Sequence, residues 1–530
     1  MRWAPLCVLA LGLARQLQVN LRWLALDIHP LRSVYSSTTN HLQDALWLRG
    51  MGQLWSSNAS GELPDLLSLS GIGGWVLLGR TPDAMIITVL VYLLLTQLAL
   101  FELGRRLGSA WAGVLAALML GVVPHATTMA RSWSPEVPQM MFLGAALLAL
   151  VVSRSFTRLL PTLAWVVLAI AGLSFSAMST NNILFGLSLV GMTAGAWVRG
   201  LTTARGPLGD PPLMRWRVAA TGLGAVALTV LGAWRLHFRN SPTDYYTSEA
   251  IDTGYGLGAS WLSQFSDGAY LRWIAAEGMG PVLAITALVG SSLYAWRGRA
   301  RAELLGLLLI PLLVLSAIPK KNPYYIAQLY PVLCLITALG FHRVAAIHPR
   351  LRRVGPALLA AVIATAWFSW EQRSALQALP FSDDGAKWSG LFQTAAPPRL
   401  HPERSRQPER SRRLIEDLFE GSSCPEGSAF AHSGVDGDLG LWLLAMDPCM
   451  RSVPSPDRPN VEWSIIADDG CTPGRRPAPE APENVRRRVH GGAIMVDSDT
   501  IIKPCLWLLQ HTDGEPASGQ PHNGPPRSEP

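Results

Sequence analysis

Apolar runs separated by polar joins, most of them short and two of them long, fill about the first 370 residues of the chain. Runs long enough to span a bilayer, roughly 17 to 25 residues, fall at 84–103, 109–125, 137–153, 158–176, 182–199, 217–235, 278–296, 302–318, 324–341 and 354–371. An earlier run at 4–26 opens with "APLCVLALGLA" and is then interrupted by Arg15, Gln16, Gln18, Asn20 and Arg22. It reads as a first transmembrane helix with a polar face toward a cavity, the alternative being a signal sequence. The pattern predicts a mostly α polytopic membrane protein with about eleven transmembrane helices, over residues 1–377.

The joins carry an orientation signal. Arg105 and Arg106, then Arg154 and Arg158, then Arg199, Arg205, Arg215 and Arg217 fall in every second connection. The series continues with Arg297, Arg299 and Arg301, and ends with Arg343, Arg350, Arg352 and Arg353. Basic side chains are retained on the cytoplasmic side. The outer segments are then 27–83, 126–136, 177–181, 236–277, 319–323 and everything after 371. A bacterial cell-membrane protein with an extracytoplasmic C-terminal part is the expected localisation.

After residue 377 the pattern changes. A Pro- and Arg-rich linker over 378–413 leads to a mixed segment at 414–511, and a polar tail closes the chain at 512–530. "SAFAH", "VEWSIIAD" and "GAIMVDS" read as short strands and "DLGLWLLAM" as a helix, so a small α/β domain is expected there. The tail has the composition of a disordered segment.

Composition supports this division. Of the 530 residues, 49% are apolar and only 15% charged, a balance poor for a soluble protein. The net charge of +7 comes from arginines clustered in loops, the pattern of membrane orientation rather than of nucleic-acid binding. Cys7 and Cys334 lie inside apolar runs, whereas Cys424, Cys449, Cys471 and Cys505 all lie in the C-terminal part. Four cysteines in an exported domain allow two disulfides in three pairings. Free thiols or a metal site are the alternatives, and the lack of a C-x-x-C spacing counts against metal.

In this frame "AIPKKNPYYIAQLYP", residues 317–331, puts Lys320 and Lys321 on the outer surface, against the positive-inside trend. They read either as a solvated turn with lysines snorkelling to headgroups or as cations that recognise an anionic lipid phosphate. Tyr324, Tyr325 and Tyr330 follow on the next helix, each with an apolar ring and a polar tip suited to the interface.

A basic pair between two late transmembrane helices, followed by an aromatic and "YPVLCLITALG", resembles the lipid-phosphate loop of GT-C glycosyltransferases. The nearest branch is the aminoarabinose transferase, protein O-mannosyltransferase and rhizobial lipopolysaccharide transferase group. "LFELGRRLGSAWAGVLAALMLGVVPHATTMARSWSPEVPQMMFLGAALLAL", residues 100–150, is similar to that group's inner Gly-Arg-Arg turn, helix and outer loop with an acid opening the next helix. "ELPDLLSLSGIGGWVLLGRTPDAMII", residues 62–87, resembles the segment preceding it. The resemblance covers most of residues 20–371. It implies transfer of a sugar from a polyprenyl-phosphate-linked donor to an extracytoplasmic acceptor: a cell-envelope glycolipid, a polysaccharide or a protein. It also implies catalytic acids in the first two outer loops and a basic residue, Lys320 or Lys321, at the lipid phosphate.

The first loop departs from that pattern, having Ser36, Ser37, Thr38, Thr39 and Asn40 where the family has an acid. Asp27, at the membrane edge, is the better-placed carboxylate, and Asp44 reads as an ordinary helix residue. Glu136 opens a helix, where it serves either as the second acid or as a partner of the helix dipole. His125 and Glu136 are the pair that would hold a divalent metal, if one is used, and Arg131 is a further phosphate contact. Asp244, Tyr245 and Tyr246, in an outer loop rich in aromatics and hydroxyls, are expected at the sugar or acceptor. The missing first-loop acid keeps open a non-catalytic lipid-sugar-binding or scaffold protein, and a lipid or solute transporter is a third class. The spans lack the interrupted inverted pair that would support transport.

Overall fold

The computed structural model describes residues 3–25, 66–78, 82–131, 135–154, 156, 158–173, 180–202, 222–229, 231, 268–297, 301–317, 323–347 and 354–374, together with seven strands between 429 and 510. Helix α1 spans Ala4–Ala25, α2 Leu66–Leu78, α3 Pro82–Leu107, α4 Ala110–Leu120, α5 Pro124–Met129, α6 Glu136–Val152, α7 Leu159–Leu173 and α8 Thr180–Thr202. Next come α9 Ala269–Trp273, a π-helix Ile274–Gly278, α10 Pro281–Arg297, α11 Arg301–Ala317, a 3-10 helix Pro323–Leu329, α12 Tyr330–Ile347 and α13 Val354–Ser374. The chain divides into two compact units. The first is Met1–Ala25, Trp55–Ser70 and Ile86–Pro398, and the second is Leu26–Leu54, Gly71–Met85 and Arg399–Pro530.

In the first unit the apolar runs fold as helices because every backbone polar group must be satisfied within the segment when no water is near. Among the described residues Ala4–Arg22, Ala84–Leu107 and Ile326–Arg343 are long and apolar enough to cross a membrane, and the other apolar helices described are shorter. Large apolar side chains point outward, among them Leu160, Val167, Leu288 and Phe368. A water-soluble surface would not carry so many; a lipid-facing one does. The chain is a membrane protein.

Helices surrounded by lipid gain little from burying apolar surface, so they associate by close approach. Gly191 on α8 meets the backbone of Gly306 on α11, and a Cβ on either would collide with the other. A Cβ on Gly340 of α12 would collide with the backbone of Gly290 on α10, and one on Gly290 with Thr337 of α12. The Gly-Arg-Arg turn closes α3. Arg105 and Arg106 both donate to Glu102 at 2.6 Å, placing cations at the helix C-terminus. Ser109 then caps α4, its hydroxyl accepting from Ala112 N at 3.2 Å.

The run at 4–26 forms one continuous helix over Ala4–Ala25, in which Gln16 and Asn20 are buried against other elements while Arg15, Gln18 and Arg22 are exposed. Gln16 and Asn20 are both 1 % exposed. Gln97 Nε2 on α3 donates to Gln16 Oε1 at 2.7 Å and to Ala117 O at 2.9 Å, while Asn20 Nδ2 donates back to Gln16 O. The 109–125 run stops at Leu120, turns, and resumes as the short α5, and the 324–341 run opens with about two turns of 3-10 helix before α12. Of the run at 217–235, only 222–229 and 231 lie among the described residues, and these are helical.

The second unit carries strands β1 Ala429–Ser433, β2 Arg451–Val453, β3 Trp463–Asp468, β4 Arg487–His490, β5 Ile494–Met495, β6 Ile501–Ile502 and β7 Cys505–Gln510. Five of them form a mixed sheet in the order β2-β1-β3-β7-β4, and β5 pairs with β6. β1 runs parallel to both β2 and β3, while β7 is antiparallel to β3 and β4, with Ile465 opposite Leu508. The three strand segments read from the sequence all contain strands. "CLWLLQ" at β7 was missed because a short apolar run has no period that separates strand from buried helix. The expected helix at 438–446 lies outside the described residues, as do Cys424, Cys449 and Cys471. Cys505 opens β7, facing Asp468 and His490 in register, and Cys7 and Cys334 are free thiols.

Candidate functional site

Four short elements of the first unit meet where the long helices are interrupted. They are α5, the start of α6, the π-helix and the 3-10 helix. Proline and glycine punctuate each break. Pro124 opens α5, Pro135 precedes α6, Gly280 takes φ 77 between the π-helix and α10, and Pro323 opens the 3-10 helix. A proline in the first turn loses no internal hydrogen bond, and a positive φ suits glycine. π-helical turns and long 3-10 stretches are uncommon and tend to occur at functional positions.

Tyr330 is the hub of these elements. Fully buried at the start of α12, its hydroxyl lies 3.1 Å from His125 Nδ1 on α5, and the two rings meet edge to face with centroids 5.4 Å apart. Gly278 leaves the room for that hydroxyl, since a Cβ there would overlap it. Its side chain lies inside the protein rather than on the surface. His125 is not the last residue of a long helix but part of a separate short one.

Glu136 is the first residue of α6 and is wholly buried. One turn on, Gln139 accepts a hydrogen bond through Oε1 from Gln328 Nε2 on the 3-10 helix, and its own Nε2 lies 3.5 Å from Gly172 O near the end of α7. Arg131, between α5 and α6, is 6 % exposed and donates through Nε to Asn20 Oδ1 at 2.8 Å. Burial pushes its guanidinium down to about 9, which leaves it charged at neutral pH. Of the residues expected from the sequence, His125 meets Tyr330 and Arg131 meets Asn20, while Glu136 begins the helix whose Gln139 meets Gln328. Tyr330, Asn20, Gln139 and Gln328 were visible as polar residues in apolar surroundings. No local spacing revealed their partners.

Tyr324 and Tyr325 lie on the 3-10 helix. Asp27, Lys320, Lys321, Asp244, Tyr245 and Tyr246 lie outside the described residues. Among the described residues no group of three or more His, Cys, Asp or Glu side chains could hold a metal ion. His125 and Glu136 alone fall short of a metal's usual ligand count, and His125 Nδ1 is engaged by Tyr330.

No family model and no curated protein sequence matches the chain. Solved structures do. The structure of ArnT from Cupriavidus metallidurans bound to undecaprenyl phosphate is similar with a TM-score of 0.59 and 14% sequence identity, over 94% of this chain and 97% of that one. The same protein in its apo state gives a TM-score of 0.57 and 12% identity over the same shares. The chain therefore has an ArnT-like fold, and the GT-C resemblance read from its motifs holds at the level of fold.

Proposed function

We propose that the chain is an integral membrane glycosyltransferase that moves a sugar from a polyprenyl-phosphate-linked donor to an extracytoplasmic acceptor. The observation that carries this reading is the meeting of the Glu136 end of α6 with the helix that directly follows the lysine pair, in a fold like that of ArnT. The molecule bound to that ArnT is undecaprenyl phosphate.

Such a transfer needs two things. A carboxylate takes the proton of the acceptor hydroxyl as its oxygen bonds to the anomeric carbon. Cations hold the polyprenyl phosphate as the bond from that carbon to the phosphate oxygen breaks, and it leaves with the electron pair. In this reading Glu136 and Asp27 are the catalytic carboxylates, and Lys320, Lys321 and Arg131 hold the phosphate. Tyr324 and Tyr325 flank the lipid headgroup, and Asp244, Tyr245 and Tyr246 contact the sugar or acceptor. The chain crosses a bacterial cell membrane many times, with residues 414–511 outside the cytoplasm.

The test is sugar transfer from a polyprenyl-phosphate donor by purified protein, comparing wild type with Glu136→Gln and Asp27→Asn. Removing a general base costs about 10²–10⁴-fold in rate. Both variants at wild-type rate would overturn the acid assignment. A second reading, a non-catalytic lipid-sugar binder or scaffold, is favoured by Ser36 to Asn40 standing where the family has an acid. Wild type that binds the lipid phosphate but transfers nothing from any donor would establish it. Lipid movement across vesicles without transfer would point instead to a transporter.

A further inference from the structure

Gln139 and Gln328 are 189 residues apart in the chain, yet they meet with neither side chain exposed. The Gln139 carboxamide joins three elements. It belongs to α6, it accepts from the 3-10 helix, and its Nε2 faces a carbonyl in the last turn of α7. Helix ends leave such carbonyls without an intrahelical donor. Gln139 also lies on the same face of α6 as Glu136, since residues three apart on a helix are neighbours. Gln328 belongs to the helix that opens at Pro323, directly after Lys320, Lys321 and Asn322 in the chain.

An amide pair among apolar helices adds little net stability over an apolar pair of the same shape. What it supplies is direction, because a buried amide left without its partner is costly and so admits few arrangements. A second tie acts two residues later, where Tyr330 engages His125 on α5. The 3-10 helix is therefore held to α6 by Gln328, and the α12 start that follows it to α5 by Tyr330. Arg131 lies between α5 and α6, and α6 begins with Glu136.

We infer that Gln139 and Gln328 are positioning residues: their amide pair fixes the segment following the lysine pair against the Glu136 end of α6, and so sets how the lipid phosphate lies relative to the acid. The geometric half of this inference stands on the structure alone. The functional half rests on the transferase reading.

The test uses the full-length protein in lipid nanodiscs with undecaprenyl phosphate as the probe. It compares wild type, Gln139→Met, Gln328→Met and the double variant Gln139→Met/Gln328→Met. Three quantities are read: the unfolding midpoint, hydrogen exchange in peptides covering 323–329, and the Kd for the probe. Each single variant takes from one buried amide its partner in the pair and lowers the midpoint. The double variant removes both amides and recovers part of the midpoint, since the Gly172 carbonyl has lost its donor. It nonetheless keeps faster exchange at 323–329 and binds about two- to tenfold more weakly. Recovery of protection and affinity together with the midpoint would overturn the inference, leaving a plain packing pair. Wild type that does not bind the probe overturns the transferase reading and the functional half with it. The exchange result then still decides the geometric half.

Discussion

The hydroxyl of Tyr330 occupies the space that a side chain on Gly278 would fill. This contact joins the π-helix to the start of α12 and holds the hydroxyl beside His125. The glycine is needed for close approach, not for a turn.

Gly278→Ala is expected to destabilise the protein by about 1–3 kcal/mol, the usual range for overfilling a packed site. Tyr330→Phe in the same chain removes the oxygen that the new methyl meets, so the double variant should be more stable than the sum of the two single changes allows. Thermal unfolding of all four proteins in one detergent checks this. Strict additivity would mean that the two residues do not share the space.

Asn20→Ala should cost about 1–3 kcal/mol, because it removes the acceptor of the Arg131 Nε–H in a buried setting. Asn20→Asp keeps an acceptor oxygen for that N–H and should lose less. Unfolding midpoints of the two variants, measured side by side, decide the order, and the reverse order would dismiss the contact.

Lys320→Ala/Lys321→Ala tests the lipid-phosphate role directly. A charge-assisted contact contributes about 1.5–3 kcal/mol, so undecaprenyl phosphate should bind roughly ten- to a hundredfold more weakly with the unfolding midpoint unchanged. Wild-type affinity would reduce the pair to headgroup anchors.

For the second unit the expectation concerns cysteines. Thiol counting on unreduced, denatured protein should find Cys7 and Cys334 reactive and Cys424, Cys449, Cys471 and Cys505 paired. Six reactive thiols would reject the two disulfides.

By itself the sequence determined what depends on neighbours along the chain. Apolar runs of spanning length become helices, because a segment away from water must satisfy its own backbone. The Gly-Arg-Arg turn ends a helix and Ser109 starts the next, because capping and dipole effects act within one turn. Glu136 was legible as a helix-opening acid for the same reason. The tertiary structure alone decided who meets whom. His125 finds Tyr330 across 205 residues, Gln328 finds Gln139 across 189, and Asn20 finds Arg131 across 111. A tyrosine with an apolar ring and a polar tip suits the membrane interface and a buried hydrogen bond equally well. The polar face of α1 suits a cavity as well as a neighbouring glutamine. The choice between such alternatives lies in the order in which helices pack, and no local period in the sequence records that order.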